Sequence, residues 1–432
     1  MASSAAYSQH DRIAEKALTF FEELLRDFHP RNFAVRLWYG SRVDAEPGQP
    51  TRCTLIINRP GALRRMFQPS NQAALGEAYI YGDVDIEGDA ETLFPLVPYL
   101  LKLKIGPARQ LRLAALLWGM PTSPRQREGR PPVKLDGELH SKERDRQAVA
   151  YHYNVSNDFF RLFLDKRMVY SCAYFDSPEL SLDEAQERKL DYICRKLRLK
   201  AGEQLLDVGS GWGALIIHAA SHYGVRALGI TLSEPQAELA NRRIREAGLQ
   251  DMCRVEVRDY REMSEPETFD KLVSVGMIEH VGESMLPAYF EQAYKLLKPG
   301  GVFMNHGIAR AVWAGKLDGP TFIDRYVFPD GDMVPIGIVL RHAAQCGFEI
   351  RDVENLREHY TMTLRHWVRN LENHGSRARH LTDEATYRTW RLYMAGSAYF
   401  FDTGRLNIYQ SLLVKPNDGK SGLPMTRADW YT

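Results

Sequence analysis

Three glycines crowd one short turn of the sequence, at Gly209, Gly211 and Gly213 in the stretch "LLDVGSGWGALIIHAA". The apolar residues before the turn predict a buried strand, and those after it predict the start of a helix. Glycines at such a turn let the backbone approach a ligand closely. The spacing fits the G-x-G-x-G turn of S-adenosylmethionine enzymes. Counted with Ala214 instead of Gly213, it equally fits the G-x-G-x-x-A fingerprint of nicotinamide dinucleotide enzymes.

Residues around the turn separate these two alternatives. A dinucleotide site needs an acidic residue about twenty positions further on, but the second apolar strand ends in "LGITLSEPQ", with Thr231 at that point. Asp207, just ahead of the glycines, would repel a pyrophosphate and attract the sulfonium and ammonium groups of S-adenosylmethionine. After the third strand, Asp259 and Tyr260 are placed to hydrogen-bond and stack on an adenine. The residues therefore favour methyl transfer.

The elements that must position this turn are apolar strands that alternate with amphipathic helices. The strands are predicted in "EQLLDVGS", "VRALGIT", "CRVEVRDY", "DKLVSVGM", "GGVFMNHGI", "FEIRDVEN" and "NIYQSLLVKP". Such alternation predicts an α/β fold with a doubly wound, mostly parallel sheet of seven strands, in which ligands bind beyond the carboxyl ends of the strands. We assign this predicted domain to residues 148–432.

Two further segments precede that domain. Residues 1–120 contain the strand-like runs "FAVRLWYGS" and "CTLIINRP" and the Gly- and Asp-punctuated run "GEAYIYGDVDIEGD", which predict a smaller α/β or α+β domain. Residues 121–147 are rich in proline and charge and poor in apolar residues, which predicts a linker.

A basic, amphipathic pattern closes the first domain, in "LKLKIGPARQLRLAALLWGM". Its apolar residues, among them Trp118, alternate with the basic residues Lys102, Lys104, Arg109 and Arg112. The pattern predicts either a helix that caps the domain with a solvated face or a surface that docks on anionic lipid.

Composition limits the classes of partner. The chain has 432 residues, of which 44% are hydrophobic, which favours two or three domains over one small binding module. Its 56 basic and 55 acidic residues leave a formal net charge of +1, so we expect no nucleic-acid partner. The five cysteines show neither C-x-x-C spacing nor a disulfide framework; we assign no metal ligands and expect a reducing cytoplasm. Without a membrane-spanning apolar run, contact with lipid would be peripheral, on the inner face of the cell membrane.

Six motifs in a fixed order resemble the cyclopropane fatty acid synthase family of S-adenosylmethionine-dependent methyltransferases. They are "YHYNVSNDFFRLFLDKRMVYSCAYF", "DVGSGWG", "GITLSEPQ", "SVGMIEHVG", "LLKPGGVFMNHGI" and "DRYVFPDG". The resemblance covers roughly residues 149–416, and "PGALRRMF" and "GEAYIYGDVDIEGD" extend it into the first domain of the full-length bacterial members. It implies the Rossmann-like fold of class I methyltransferases for the domain at 148–432.

The resemblance also implies the activity of a cyclopropane-fatty-acyl-phospholipid synthase. The cis double bond of an unsaturated acyl chain on a membrane phospholipid takes the methyl of S-adenosylmethionine, and the resulting carbocation loses a proton to close the ring. Such a cation needs negative charge, aromatic faces and few waters around it. Two alternatives stay open. Another fate of the cation gives a methylene- or methyl-branched chain, and a domain without chemistry would be a noncatalytic lipid-binding protein.

Members of the family use a bound bicarbonate ion as the base, and the resemblance places Cys172, Glu279, His306, Ile308 and Tyr360 around it. Glu279 would accept the hydroxyl proton of the ion, His306 and Tyr360 would donate to its oxygens, and Cys172 and Ile308 would supply backbone amides. The positions that would hold S-adenosylmethionine are Tyr170, Ser171, Asp207, Gly209, Gly211, Gly213, Thr231, Gln236 and Tyr260.

Three positions complicate this assignment. His280, beside Glu279, is an alternative functional imidazole. Ser210 stands where the family usually has cysteine, and Gly307 stands between His306 and Ile308 where the family usually has threonine. The oligomeric state is left open, although a homodimer would present two membrane-facing surfaces and raise avidity.

Overall fold

The structure is a computed structural model that describes residues 2–68, 71–122, 127–153, 155–315 and 321–431, with only the backbone described for residues 2–11, 101 and 102. Residues 123–126 of the predicted linker and the side chain of Lys102 therefore lie outside the described part of the chain.

The strands and helices follow one another along the whole chain. The strands are β1 (Phe33–Arg36), β2 (Arg42–Val43), β3 (Cys53–Ile57), β4 (Val84–Gly88), β5 (Gln204–Val208), β6 (Arg226–Thr231), β7 (Cys253–Val257), β8 (Phe269–Val275), β9 (Leu297–Arg310), β10 (Glu349–Asn355) and β11 (Leu406–Val414). The helices are α1 (Ala2–Leu25), α2 (Ala62–Phe67), α3 (Gln72–Ile80), α4 (Leu96–Lys102), α5 (Pro107–Trp118), α6 (Lys142–Tyr153), α7 (Asn157–Phe160), α8 (Leu182–Leu197), α9 (Ala214–Tyr223), α10 (Glu234–Glu246), α11 (Leu286–Leu296), α12 (Phe322–Tyr326), α13 (Ile336–Gln345), α14 (Arg357–Asn373), α15 (Gly375–Leu381) and α16 (Glu384–Asp402).

The larger sheet has seven strands in the order β10-β11-β9-β8-β5-β6-β7. Its neighbouring strands pair in parallel except where β11 runs antiparallel to β9 and to β10. Successive residues of β5 point to opposite faces, so Leu205 packs with α8, α9 and α10 while Leu206 packs with α11 and α13. The predicted doubly wound, mostly parallel fold with seven strands is confirmed.

The smaller sheet, in the order β2-β1-β3-β4, is mixed, with β1 parallel to β3 and the other pairs antiparallel. The prediction of a smaller N-terminal domain is thus confirmed, but one run within it was misjudged. The residues "GEAYI" lie in helix α3, which begins after Asn71, whose side chain accepts a hydrogen bond from the Ala74 amide. This cap satisfies a free amide of the first turn and so favours a helix there.

The chain divides into two compact units that differ from the predicted domains 1–120 and 148–432. The first unit comprises Met1–Pro132, Asp318–Val327 and Thr382–Tyr399, and the second comprises Val133–Leu317, Phe328–Leu381 and Phe400–Thr432. Two segments from the predicted catalytic domain therefore pack in the first unit. Phe322 fills the space beside Gly76, and Arg388 donates to the carbonyl oxygens of Tyr79 and Val84.

The predicted linker at 121–147 is divided between the two units. Arg130 is buried in the first unit and donates through Nε to the carbonyl oxygen of Tyr326 at 2.9 Å. Residues 142–147 form the start of α6 in the second unit. The proline- and charge-rich composition of residues 121–147 gave no indication of this packing, because a single buried arginine hardly changes the average composition of a segment.

Helix α5 carries the basic pattern that closes the first predicted domain. Arg109 forms an ion pair with Asp27, and Arg112 Nη1 lies 3.0 Å from Glu23 Oε1. These pairs fit the capping alternative, while Trp118 at the end of the helix is exposed. In the part of the chain that the structure describes, no helix is long and apolar enough to cross a membrane.

Candidate active site

A pocket lies at the carboxyl ends of β5, β6, β7 and β8, where a doubly wound sheet places its ligands. Its wall includes most of the residues predicted to bind the cofactor, namely Tyr170, Ser171, Asp207, Gly209, Gly211, Thr231, Gln236, Asp259 and Tyr260. The structure thus brings together residues that are spread over ninety positions of the chain, from Tyr170 to Tyr260.

The three glycines of the turn have different roles. Gly209 and Gly211 line the pocket with positive φ angles of 83° and 52°, a conformation in which other residues are strained. Gly213 does not line the pocket. A Cβ atom there would lie 3.1 Å from Cβ of Ala240 on α10, so Gly213 lets α9 pack closely against α10.

Asp207 and Lys189 are two buried charged residues in the pocket wall. Burial raises the pKa of Asp207 to about 7, an effect that the nearby Lys189 opposes. Burial lowers the pKa of Lys189 to about 8, and its Nζ donates to Ser171 Oγ at 3.0 Å. The wall therefore offers both a carboxylate and an ammonium group, which suits a ligand that carries both signs of charge.

The polar groups near the ends of β6 and β7 are held in place by neighbours. Thr231 Oγ1 donates to Gln236 Oε1 at 2.8 Å, which fixes the side-chain amide of Gln236. The Asp259 carboxylate accepts from Arg261 through Nε at 2.8 Å and Nη2 at 2.6 Å. Asp259 therefore forms an ion pair with Arg261. Tyr260 beside it supplies an aromatic ring to the pocket, and burial raises its pKa to about 12.

Glu279 lies in a short turn after β8. Its Oε1 accepts a hydrogen bond from the Ile308 amide at 2.6 Å, whereas Oε2 is buried without a hydrogen-bond partner among the described residues. Burial raises the pKa of Glu279 to about 7, and the Ile308 bond opposes this shift. The expectation that the Ile308 amide serves a bound ion directly is therefore corrected, because Glu279 accepts that hydrogen bond.

His306 lies inside β9, which continues beyond it to Arg310 in register with Leu406 of β11. Its Nδ1 lies 3.3 Å from Nε2 of Gln410, and its own Nε2 is buried without a partner in the described structure. Burial, with Lys189 and Lys196 nearby, holds the pKa of His306 well below its ordinary value. The imidazole is therefore neutral.

His280 has a different environment from His306. It lines the cofactor pocket, and burial lowers its pKa to about 4. Glu279, its neighbour in the same turn, does not line that pocket. Of these two neighbouring residues, only His280 is part of the pocket wall.

Cys172 and Tyr360 both contact the carbonyl oxygen of Leu356 at the start of α14. Cys172 Sγ lies 3.7 Å from the carbonyl oxygen of Leu356, which also accepts from the Tyr360 amide at 3.1 Å. The Leu356 amide donates to Ile408 at 2.8 Å, and Ile408 pairs with Ile308 across β11 and β9. A short backbone path therefore leads from these two residues to Ile308, whose amide donates to Glu279. Burial raises the pKa of the Cys172 thiol, which stays neutral.

An aromatic cluster connects the cofactor pocket with Tyr360. The Tyr170 ring lies 5.1 Å from Trp367 and 5.4 Å from Phe160. Tyr360 in turn lies 6.0 Å from Trp367, edge to face, and 4.7 Å from Phe401, all measured between ring centroids. Such rings can stabilise a cation and exclude water.

Comparison with known proteins identifies the family. A family model described as mycolic acid cyclopropane synthetase matches residues 140–411, more than half of the chain. A probable fatty acid methyltransferase of Pseudomonas putida is 40% identical over 403 residues, covering 92% of this chain and 95% of that protein. The chain belongs to the mycolic acid cyclopropane synthetase family. It is accordingly a methyltransferase that uses S-adenosylmethionine.

The comparisons also give two further relatives and a second family-model match. The tuberculostearic acid methyltransferase UfaA1 of Mycobacterium tuberculosis is 32% identical over 396 residues, 88% of each chain. The mycolic acid cyclopropane synthase CmaA1, solved with SAH and CTAB, is 34% identical and covers 62% of this chain and 97% of its own, with a TM-score of 0.59. A domain of unknown function (DUF7884) matches residues 20–97.

Two departures from the family pattern have local structural reasons. A Cβ atom on Gly307 would lie 2.2 Å from Cγ2 of Ile278, so the Ile278 side chain occupies the space of a residue at position 307. A Cβ atom on Gly229 would lie 2.6 Å from Ser210 Oγ. Ser210 therefore fits closely against β6, while its hydroxyl has no hydrogen-bond partner among the described residues.

Several residues of the pocket wall were not predicted from the sequence, including Lys189, Trp212, His140 and Asp145. Lys189 lies on the buried side of α8, with Gln186 and Ile193 three or four residues away. That spacing was visible in the sequence. His140 and Asp145 fall in the predicted linker, where composition gave no sign of a site.

Proposed function

We propose that the protein transfers the methyl group of S-adenosylmethionine to the cis double bond of an unsaturated acyl chain on a membrane phospholipid and then removes a proton to close a cyclopropane ring. One observation carries the proposal: Glu279 Oε2 and His306 Nε2 are buried without hydrogen-bond partners in the described structure. Buried polar atoms are normally paired. A small ion with both a hydroxyl group and acceptor oxygens, as bicarbonate has, matches an unpaired carboxylate oxygen and an unpaired ring nitrogen.

The two bound groups supply complementary chemistry: S-adenosylmethionine provides an activated methyl group, and bicarbonate provides a base. On the cofactor side, Asp207 attracts the cationic groups and Lys189, with Ser171, is placed for the carboxylate. Gly209 and Gly211 keep the backbone open to the ligand. These residues bind and orient, which is what an alkene, a weak nucleophile, requires of the methyl donor.

On the base side, the protein holds polar groups in fixed positions. The Ile308 amide anchors Glu279 Oε1, which leaves Oε2 to accept the hydroxyl proton of the ion. Neutral His306 donates through Nε2. By family resemblance, the Tyr360 hydroxyl and the Cys172 amide complete the set. The aromatic cluster around Tyr170, Trp367 and Tyr360 excludes water and stabilises the developing cation.

A methylene- or methyl-branched product is the second candidate. It keeps the methyl transfer and changes the fate of the cation. Loss of a proton from the acyl chain leaves a methyl branch, whereas a hydride shift followed by loss of a proton from the new methyl group leaves a methylene branch. Gly307, between His306 and Ile308, supports it, because this departure from the family pattern lies beside the base. The names of two relatives support it as well, since one is named a probable fatty acid methyltransferase and the other a tuberculostearic acid methyltransferase, and neither is named a cyclopropane synthase.

The substrate implies peripheral contact with the membrane from the cytoplasm. The exposed side chains of Leu111 and Trp118 on α5 support such contact, since tryptophan favours the interface between lipid and water. A homodimer would strengthen the contact by avidity.

The direct test is incubation of the purified protein with S-adenosylmethionine and vesicles of cis-unsaturated phospholipid. We expect acyl chains heavier by one methylene group. Glu279→Gln should reduce turnover at least about a hundredfold, because the variant cannot take up the proton of the ion, while calorimetry shows unchanged affinity for S-adenosylmethionine. Glu283→Gln, at an exposed position four residues further on, is the matched control and should retain full turnover.

Three results would contradict the proposal. One is the absence of any mass shift on unsaturated lipids. Another is wild-type turnover in Glu279→Gln, which would refute the role of the ion. A wild-type protein that binds lipid vesicles but not S-adenosylmethionine would instead indicate a noncatalytic lipid-binding protein.

A further inference from the structure

A buried lysine lies behind the proposed base site. Lys196 of α8 is fully buried and donates through Nζ to Gln410 Oε1 at 3.0 Å. It is also paired with Glu354 and lies 3.6 Å from Asp352. An ammonium group has donors only, so the side-chain oxygen of Gln410 must face Lys196.

The orientation of Gln410 decides what His306 can do. With its oxygen facing Lys196, the side-chain NH2 group of Gln410 faces His306, and the Nε2 to Nδ1 distance is 3.3 Å. That NH2 group donates, so His306 Nδ1 must accept. A neutral imidazole with an accepting Nδ1 carries its proton on Nε2.

The opposite arrangement cannot be satisfied. A proton on Nδ1 of His306 would face the donor NH2 group of Gln410. Turning the Gln410 amide over would remove that conflict, but would then place its NH2 group against the Lys196 ammonium. Protonation of both ring nitrogens is disfavoured as well, because His306 is buried and the two lysines near it are cationic. One hydrogen-bond pattern remains.

We propose that Lys196 and Gln410 are positioning residues that set the tautomer of His306, so that its buried Nε2–H is a fixed donor toward the ion held at Glu279. The identity of that acceptor rests on the proposed function. The tautomer does not, since it follows from the three side chains alone. Neither Lys196 nor Gln410 touches the reacting atoms in this scheme. Their effect reaches the site through His306.

The test is nitrogen NMR of the protein labelled at the histidine imidazole nitrogens. The His306 signals are assigned by their disappearance in His306→Gln. In the wild-type protein we expect a protonated Nε2 and an unprotonated Nδ1. A proton on Nδ1, or on both nitrogens, would overturn the inference.

Gln410→Glu reverses the pattern, since a carboxylate can only accept. Paired with Lys196, it should draw the proton to Nδ1 and leave Nε2 as an acceptor. We expect turnover at least about a hundredfold lower, with unchanged affinity for S-adenosylmethionine. Ser411→Ala is the matched control on the same strand, because the Ser411 hydroxyl has no partner in the described structure. It should retain both the NMR spectrum and the turnover.

Lys196→Met provides a second variant in case Gln410→Glu does not fold. Without the ammonium group, the Gln410 amide is free to turn, so we expect a mixture of the two His306 tautomers. An unchanged tautomer in every folded variant would overturn the positioning role. A reversed tautomer with wild-type turnover would show that Lys196 and Gln410 set the tautomer but that His306 does not act as the donor, which would refute that part of the proposed function instead.

Discussion

The cofactor side and the base side of the site are built in different ways. On the cofactor side, at β5 to β7, the polar groups lie at or just beyond strand ends in short motifs: Asp207 lies near the end of β5, before the glycine turn, and Thr231 is the last residue of β6. On the base side, each group comes from a different element: Glu279 from a turn, His306 from within β9, and Gln410 from the antiparallel strand β11.

The two sides also differ in their ionisable groups. The cofactor side presents buried ionisable groups, Asp207 and Lys189, with pKa values of about 7 and about 8. The base side combines the carboxyl group of Glu279, whose pKa is also about 7, with the neutral imidazole of His306, and one buried atom of each lacks a protein partner in the described residues. Two groups of opposite charge suit the binding of one ligand that carries both charges, whereas a carboxyl group and a neutral imidazole with a fixed tautomer suit control over where a proton goes. Mutations should therefore separate cofactor binding from product formation.

The largest effect on the cofactor side is expected from Asp207→Asn. The change keeps the shape and removes the charge that attracts the cationic groups. Affinity for S-adenosylmethionine should fall by about tenfold to a hundredfold, since hydrogen bonds to charged groups contribute about 1.5–3 kcal/mol. Calorimetry measures it, and Glu279→Gln is the comparison that should leave affinity intact. Equal losses of affinity in both variants would break the distinction between the two sides.

On the base side, Gly307→Ala should lower the free energy of unfolding by about 1–3 kcal/mol, as overpacking of a core does. The cause is the 2.2 Å approach of the new Cβ atom to Ile278. Denaturant unfolding measures the change. The double variant with Ile278→Ala should lose less free energy of unfolding than the sum of the two single losses, because shortening Ile278 removes the clash that Gly307→Ala creates. Additive losses would contradict the assigned contact.

The smallest predicted effect is on the pH dependence of cofactor affinity. The cationic ligand prefers ionised Asp207, so affinity should be highest above pH 7 and fall about fivefold between pH 7 and pH 6, as the carboxylate with a pKa of about 7 takes up a proton. Lys189 stays charged in this window. Asp207→Asn should abolish the dependence. Glu279→Gln should keep it, although the pKa of Glu279 is also about 7. Loss of the pH dependence in Glu279→Gln would contradict the assignment to Asp207, because it would show that Glu279, on the base side, is the group that titrates.

Sequence alone predicted the seven strands and nine residues of the pocket wall, because strand periodicity and glycine turns are local signals. It did not predict that Phe322 and Arg388 pack in the first unit, since domains were taken as continuous stretches. Lys189 and Lys196 were missed as well. Both fall on the apolar face of α8, seven residues apart, but a lysine is usually solvated. No local signal shows that the partners of Lys196 come from the distant strands β10 and β11.

Gln410 shows the limit of sequence reasoning most clearly. Its partner His306 is 104 positions away, and only the antiparallel register of β9 and β11 brings the two together. The order in which strands pair is a property of the whole sheet. The residues that we propose to set proton positions were therefore harder to predict than those that we propose to bind the cofactor.

Product analysis with S-adenosylmethionine that carries a fully deuterated methyl group tests ring closure at the base side most directly. If the proton is removed from the new methyl group, the wild-type product on cis-unsaturated phospholipid vesicles is a cyclopropane that retains two of the three deuteriums, located in the ring by fragmentation. A methyl branch that retains all three deuteriums would contradict it, and so would two deuteriums in a methylene group outside a ring.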